Sequence, residues 1–260
     1  MTNEDLIDLK KWFSDYCGFF YTSDKEDQRN ISLKELHTFN VLENITRIAE
    51  EEQLSRNSIL LAGATALFHD VGRFSQYAKY KTFRDSISVN HGKLGAEILV
   101  EKNVLKSLPL TEQELIVNAV KFHNAFSVPA LQEPDALLLI KLIRDADKLD
   151  IYRVFTEYFE TKEEDRPSAV SLGLPDLPEY SKEIISCLFE KKLATLSSLK
   201  SLNDFKLMQL SWIFDLNFRT SFRLLLERDY INKIFATLPK TDEIVKVLHI
   251  LKDFSATRLT

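Results

Sequence analysis

Apolar residues recur three and four apart through most of the chain, the spacing of one helical face, and no stretch alternates apolar and polar residues as a half-buried strand does. The pattern predicts helices at 3–17, 33–52, 58–69, 91–101, 111–124, 134–159, 179–199, 203–228 and 241–253, and hence an all-α protein. Six glycines and seven prolines leave few places where such helices must stop. The stretch Ser58-Ile-Leu-Leu-Ala-Gly-Ala-Thr-Ala-Leu-Phe68 is apolar almost all round, which marks a central, buried helix. Thr111-Glu-Gln-Glu114 has capping-box form, and Asn90 is suited to cap a helix beginning at His91.

Three prolines and a glycine fall in the run from Glu163 to Pro178, so no helix continues through it. The expected organisation is a core over 1–160, a loop over 161–178, and a C-terminal helical part over 179–260 that packs on the core. Residues 72–90 form the other long connection, and a long ordered segment beside a site often serves as a substrate wall or lid.

Net charge changes the picture little. At −5 it supplies no overall basic field, so a grip on a nucleic-acid polymer is not expected, whereas a small anionic substrate drawn in by a metal is compatible with it. Cys17 and Cys187 are too few and too far apart for a disulfide framework, and Met-Thr-Asn-Glu-Asp lacks the form of a signal peptide. The longest apolar stretches, 58–68 and 136–143, fall well short of the ~20 residues that cross a bilayer. The expected setting is a reduced cytoplasm with no membrane partner.

Chemistry gathers where the apolar helix ends. His69-Asp70 closes it, His37 lies upstream, and His91, His123 and Asp147 lie downstream, so four of the five histidines belong to one series and His249 stands outside it. Imidazole nitrogens and carboxylate oxygens suit divalent ions such as Mn, Fe, Co, Ni and Zn. A solitary inward histidine is commonly a satisfied core residue, and a His-Asp pair at a helix end can act as a cap. The complete set is what points to a metal. His37 shares a stripe with Leu33, Asn40, Val41, Asn44 and Ile48, and His123 has Ala119 and Val120 on its inward side. His91 has Gly95 one turn later, which lets another backbone or a substrate come close. In the cluster Arg144-Asp-Ala-Asp-Lys-Leu-Asp150, Leu139, Ile143 and Ile151 share the stripe of Asp147, while Lys141 and Leu149 flank Asp145; the phase favours Asp147 as the ligand on a buried stripe.

The segment Ala64-Thr-Ala-Leu-Phe-His-Asp-Val-Gly-Arg73, the stretch with Val89-Asn-His-Gly-Lys-Leu-Gly95, and Asp145-Ala-Asp-Lys-Leu-Asp150 together resemble the HD superfamily of metal-dependent phosphohydrolases over about residues 31–155. The resemblance implies a helical bundle in which His37, His69, Asp70 and Asp147 hold a first divalent ion (Mn, Fe, Co, Ni, Zn or Mg). It implies that His91 and His123 bind a second, as in members with further histidines between the doublet and the closing Asp. Some such members carry adjacent histidines where this chain has His123-Asn124, so either one or two ions per chain fit the pattern.

The reaction expected from these residues is hydrolysis of a phosphate ester or anhydride, above all of a nucleotide, with Asp70 bridging the ions. Arg73, Arg84 and Lys148 are the candidates for binding phosphate oxygens, and Asp85 is the candidate general acid. Two other functions stay open: a di-iron oxygenase, as a minority of proteins with this set resemble, and a nucleotide sensor without turnover. Trp212-Ile-Phe-Asp-Leu-Asn-Phe218 and Phe222-Arg-Leu-Leu-Leu226 predict an aromatic-rich helix that covers the bundle, walls the cleft or forms a homodimer interface.

Overall fold

The computed structural model describes residues 1–128, 130 and 133–259, and among them every regular element is a helix. In chain order these are α1 (Asn3–Gly18), α2 (Lys25–Glu51), α3 (Arg56–Phe68), α4 (Val71–Tyr80), α5 (His91–Glu101), α6 (Leu110–Phe122), α7 (Pro134–Glu160), α8 (Lys182–Phe189), α9 (Leu202–Ser211), α10 (Arg219–Glu227), α11 (Tyr230–Ala236) and α12 (Asp242–Leu259). Two compact units divide inside α7: one is Met1–Asp150 with Pro167–Leu172, the other Ile151–Arg166 with Gly173–Thr260. Among the described residues, no helix is long and apolar enough to cross a membrane.

In the first unit α3 lies at the centre, with α1, α2 and α6 against it. Every residue from Leu60 to Phe68 is buried, as its all-round apolar surface requires. The helix stops at Phe68, where His69 caps it by donating its N–H to the Thr65 carbonyl. Asp70, at φ −105° and ψ 12°, then opens α4. The two residues with the most chemistry therefore sit at a rigid joint between two helices.

Residues 72–80 were expected within a connection, but they form α4. Its apolar residues Val71, Phe74 and Tyr77 are buried, and Phe74 packs edge-on against Phe13 and Tyr16 of α1 at 5.8 and 6.2 Å between ring centres. The true connection is 81–90. At the other edge α4 crosses α5 at two glycines. A Cβ on Gly72 would stand 2.3 Å from the His91 carbonyl oxygen and 2.8 Å from the Gly95 amide nitrogen, both backbone atoms unable to yield. Gly72→Ala is therefore expected to destabilise the fold by about 3 kcal/mol or more, the upper range for overpacking, read as a lowered urea midpoint. An unchanged midpoint would show that the crossing is loose.

Other boundaries depart from the periodicity for identifiable reasons. Asp24 accepts from the Asp27 amide and starts α2 earlier, over a polar stretch with no apolar rhythm to reveal it. Asn90 does cap α5, accepting from the Lys93 amide at 2.9 Å. Thr111 does not cap α6: that helix already starts at Leu110 behind Pro109, and Glu112 pairs with the N-terminal ammonium at 2.8 Å.

In the second unit, the helix expected over 179–199 is limited to α8, and the chain turns at Lys191 with φ 55°. The helix expected over 203–228 breaks into α9 and α10 around a 3-10 turn at Trp212–Asp215. Phe214 and Phe222, from that turn and from α10, pack against Phe254 of α12 at 5.0 and 6.1 Å. Buried Asp204 fixes the entry to α8, accepting from the Ser181 amide at 2.6 Å and from its hydroxyl at 2.8 Å.

Candidate metal centre

Asp70 is the point on which helices of the first unit converge. His69 adjoins it, His37 comes from the middle of α2, His91 opens α5, His123 follows the end of α6, and Asp147 comes from α7. The four histidines and Asp70 are all buried.

Each imidazole is fastened through Nδ1. His69 Nδ1 lies 2.7 Å from the Ala66 carbonyl and His123 Nδ1 lies 2.7 Å from the Val120 carbonyl, in both cases one turn back along the chain. His37 and His91 place Nδ1 2.7 Å from the carboxylates of Asp150 and Asp85. Carbonyl and carboxylate oxygens only accept, so every Nδ1 carries a proton and every Nε2 is turned toward the site.

The four Nε2 atoms fall into two pairs. Those of His37 and His69 are 3.2 Å apart, and those of His91 and His123 are 3.1 Å apart. Asp70 stands between the pairs with one oxygen for each. Its Oδ2 lies 3.5 Å from His37 Nε2 and 3.7 Å from His69 Nε2, and its Oδ1 lies 3.4 Å from His91 Nε2 and 3.9 Å from His123 Nε2. Asp147 Oδ1 completes the first set, 3.0 Å from His37 Nε2 and 3.7 Å from His69 Nε2. Two groups of metal-ligand type thus share one carboxylate: His37, His69 and Asp70, and Asp70, His91 and His123.

This donor set fits divalent cations. Burial pushes the His123 pKa down to about 3, and burial and the Arg73 charge push that of His91 down as well. Both rings are neutral, so two lone pairs face one another beside a buried carboxylate, an arrangement a cation resolves. The first set differs. Burial and Lys34 disfavour charge on His37, but the Asp147 and Asp150 carboxylates outweigh them and hold its pKa at about 9. A metal must displace that proton. Binding to the first set at pH 7 is therefore expected to release about one proton, and its affinity to rise about tenfold per pH unit until near pH 9. Calorimetry of Mn(II) binding in buffers of different ionisation enthalpy reads the proton directly, and zero release would contradict the assignment.

A second layer holds the first. Asp85 accepts from Arg73 at 2.9 Å, Gln76 at 3.0 Å and Asn124 at 3.1 Å, besides contacting His91. Burial opposes its charge, but His91 and Arg73 outweigh burial and hold its carboxyl well below the usual range. A carboxylate so held is ionised at neutral pH and does not suit the general-acid role expected for it; its place is behind His91. Asn124 is turned toward Asp85 in the same layer. The Arg144 guanidinium donates to the carbonyls of His123 and Ala125, fastening the end of α6.

The expected phosphate-binding residues separate. Arg73 Nη1 is engaged by Gln76, Asp85 and the Phe83 carbonyl, and its Nε lies 3.4 Å from Asp70 Oδ1. Lys148 is buried, with Nζ 3.4 Å from the Arg144 carbonyl. Arg84 is exposed, and its Nη1 donates to the Leu172 carbonyl at 3.3 Å. The burial expected to single out Asp147 falls instead on Asp145, which is fully buried, while the Asp147 side chain keeps 20% exposure. Reach decides between them, since Asp147 contacts His37. Lys34 and Asp150 escaped the sequence reading; Asp150 follows Asp147 by three positions and so shares its helical face, a signal that was available.

Residues 36–152 match the family model described as HD domain. No curated protein and no solved structure matches the chain.

Proposed function

We propose that the protein, whose residues 36–152 match the HD domain family model, is a metal-dependent phosphohydrolase that cleaves a phosphate ester or anhydride of a small molecule, a nucleotide first among them. The observation that carries this reading is the division of Asp70, one oxygen toward each pair of inward Nε2 atoms. His37, His69, Asp147 and Asp70 Oδ2 would hold one divalent ion, and His91, His123 and Asp70 Oδ1 a second. Such ions lower the pKa of water and neutralise charge on a phosphoryl oxygen.

The remaining work belongs to the chain's own side chains. Asp150 behind His37 and Asp85 behind His91 fix ring orientation and tautomer, and the Ala66 and Val120 carbonyls do the same for His69 and His123. Arg73, held between Asp70 and Asp85, ties the bridging carboxylate to the layer behind His91.

The test is product release from nucleoside mono-, di- and triphosphates, cyclic and linear dinucleotides and simple phosphoesters, with Mn, Mg, Co, Ni, Zn or Fe. Turnover of at least one phosphorylated class is expected. Oxygen uptake with iron and no phosphate release would replace hydrolysis by oxygenase chemistry. Tight nucleotide binding with no product at any metal would make the domain a sensor.

A further inference from the structure

Lys34 precedes His37 by one helical turn and turns its ammonium onto Asp70 Oδ2, at 2.7 Å. That oxygen is the one facing His37 and His69. Beneath the ammonium lies the ring of Phe83, 5.3 Å away, and the Lys34 side chain keeps 16% exposure, so it reaches the site from an open side. A divalent ion bound by Asp70 Oδ2, His37 and His69 would place two more positive charges beside this ammonium while competing for the oxygen that neutralises it. The two cations are alternatives at one carboxylate.

We propose that Lys34 is an exchangeable cation. In the metal-free protein it neutralises Asp70 Oδ2; once a divalent ion takes that oxygen, the ammonium turns to a phosphoryl oxygen of the bound substrate. Its flexible four-carbon stem and three donors suit a group with two partners, whereas Arg73 spends its Nη1 on Phe83, Gln76 and Asp85. The Phe83 ring can support the ammonium in either position, because attraction to the ring face tolerates a range of placements. The exchange at Asp70 stands on the geometry alone, and the phosphoryl half rests on the hydrolase reading.

The experiment measures two affinities in wild type, Lys34→Met and Lys34→Arg: Mn(II) for the metal-free protein, and inorganic phosphate for the Mn(II)-loaded protein. Lys34→Gln stands in if the methionine variant does not fold, as judged by circular dichroism. Lys34→Met is expected to bind Mn(II) about threefold or more tightly, its competitor being gone, and phosphate about tenfold or more weakly, the loss of one charge-assisted hydrogen bond. Lys34→Arg should recover most of the phosphate affinity, which a purely structural ion pair would not explain. Unchanged or weakened Mn(II) binding in Lys34→Met would overturn the exchange. Equal phosphate affinity in wild type and Lys34→Met would overturn the phosphoryl role while leaving the hydrolase reading intact. Absence of phosphate binding by loaded wild type would also overturn the phosphoryl role, while product release from the phosphorylated panel decides the hydrolase reading separately.

Discussion

Asp70→Ala is expected to lose tight binding of both divalent ions and, with them, about 10³-fold or more of any phosphohydrolase turnover. The bridging position is the reason. Every other side chain of the centre serves one set, whereas Asp70 offers Oδ2 to His37 and His69 and Oδ1 to His91 and His123. Altering a residue behind a ligand typically costs 10–100-fold in metal affinity, and removing the shared ligand itself costs more. Several kcal/mol of charge stabilisation disappear with the ions, which is the origin of the rate loss. Burial opposes charge on Asp70, but the Lys34 and Arg73 cations outweigh burial and hold its carboxyl well below the usual range. Alanine would leave Lys34 and Arg73 without that counter-charge, and breaking a buried ion pair typically costs about 3–5 kcal/mol. Asp70→Asn keeps the shape and separates lost chemistry from lost folding. Metal content near wild type in a folded Asp70→Asn protein would contradict the bridge.

The second large effect is the division of stoichiometry between His37→Ala and His123→Ala. Two ions per chain are expected for the wild type and one for each variant, since His37 belongs to one Nε2 pair and His123 to the other. The retained ion should differ in character. In His37→Ala it would sit among Asp70, His91 and His123, where both rings are already neutral, so its binding should depend little on pH between 6 and 9. In His123→Ala it would sit with His37, whose proton must leave, so its affinity should climb steeply over the same interval. Elemental analysis with calorimetry at several pH values reads both properties. Loss of all metal from either variant would mean that the two groups act as one site.

The difference between these sets shows what the sequence disclosed and what it withheld. His37, His69, Asp70, His91, His123 and Asp147 were visible because ligand chemistry, inward helical phase and a recognisable order coincide at those positions. The centre's second layer was mostly hidden. Lys34 meets Asp70 across 36 positions and His37 meets Asp150 across 113, and periodicity reports which face a residue occupies, not the partner its side chain reaches. Asp85 was expected as a general acid, yet its contacts with His91, Arg73, Gln76 and Asn124 come together only in the fold. Helix α4 was missed because His69, Asp70 and Gly72 look like the end of an element. In the fold His69 caps one helix and Asp70 opens the next, and the aromatic contacts of Phe74 with α1 secure α4.

The most direct test of the whole account is product release by the metal-free protein during stepwise addition of Mn(II), with a phosphorylated substrate present, in wild type and Asp70→Asn. Turnover is expected to be absent at the start, to rise with added metal until two equivalents per chain, and to stay near background in the variant. Turnover without metal, or an Asp70→Asn protein as active as wild type, would contradict a reaction centred on Asp70.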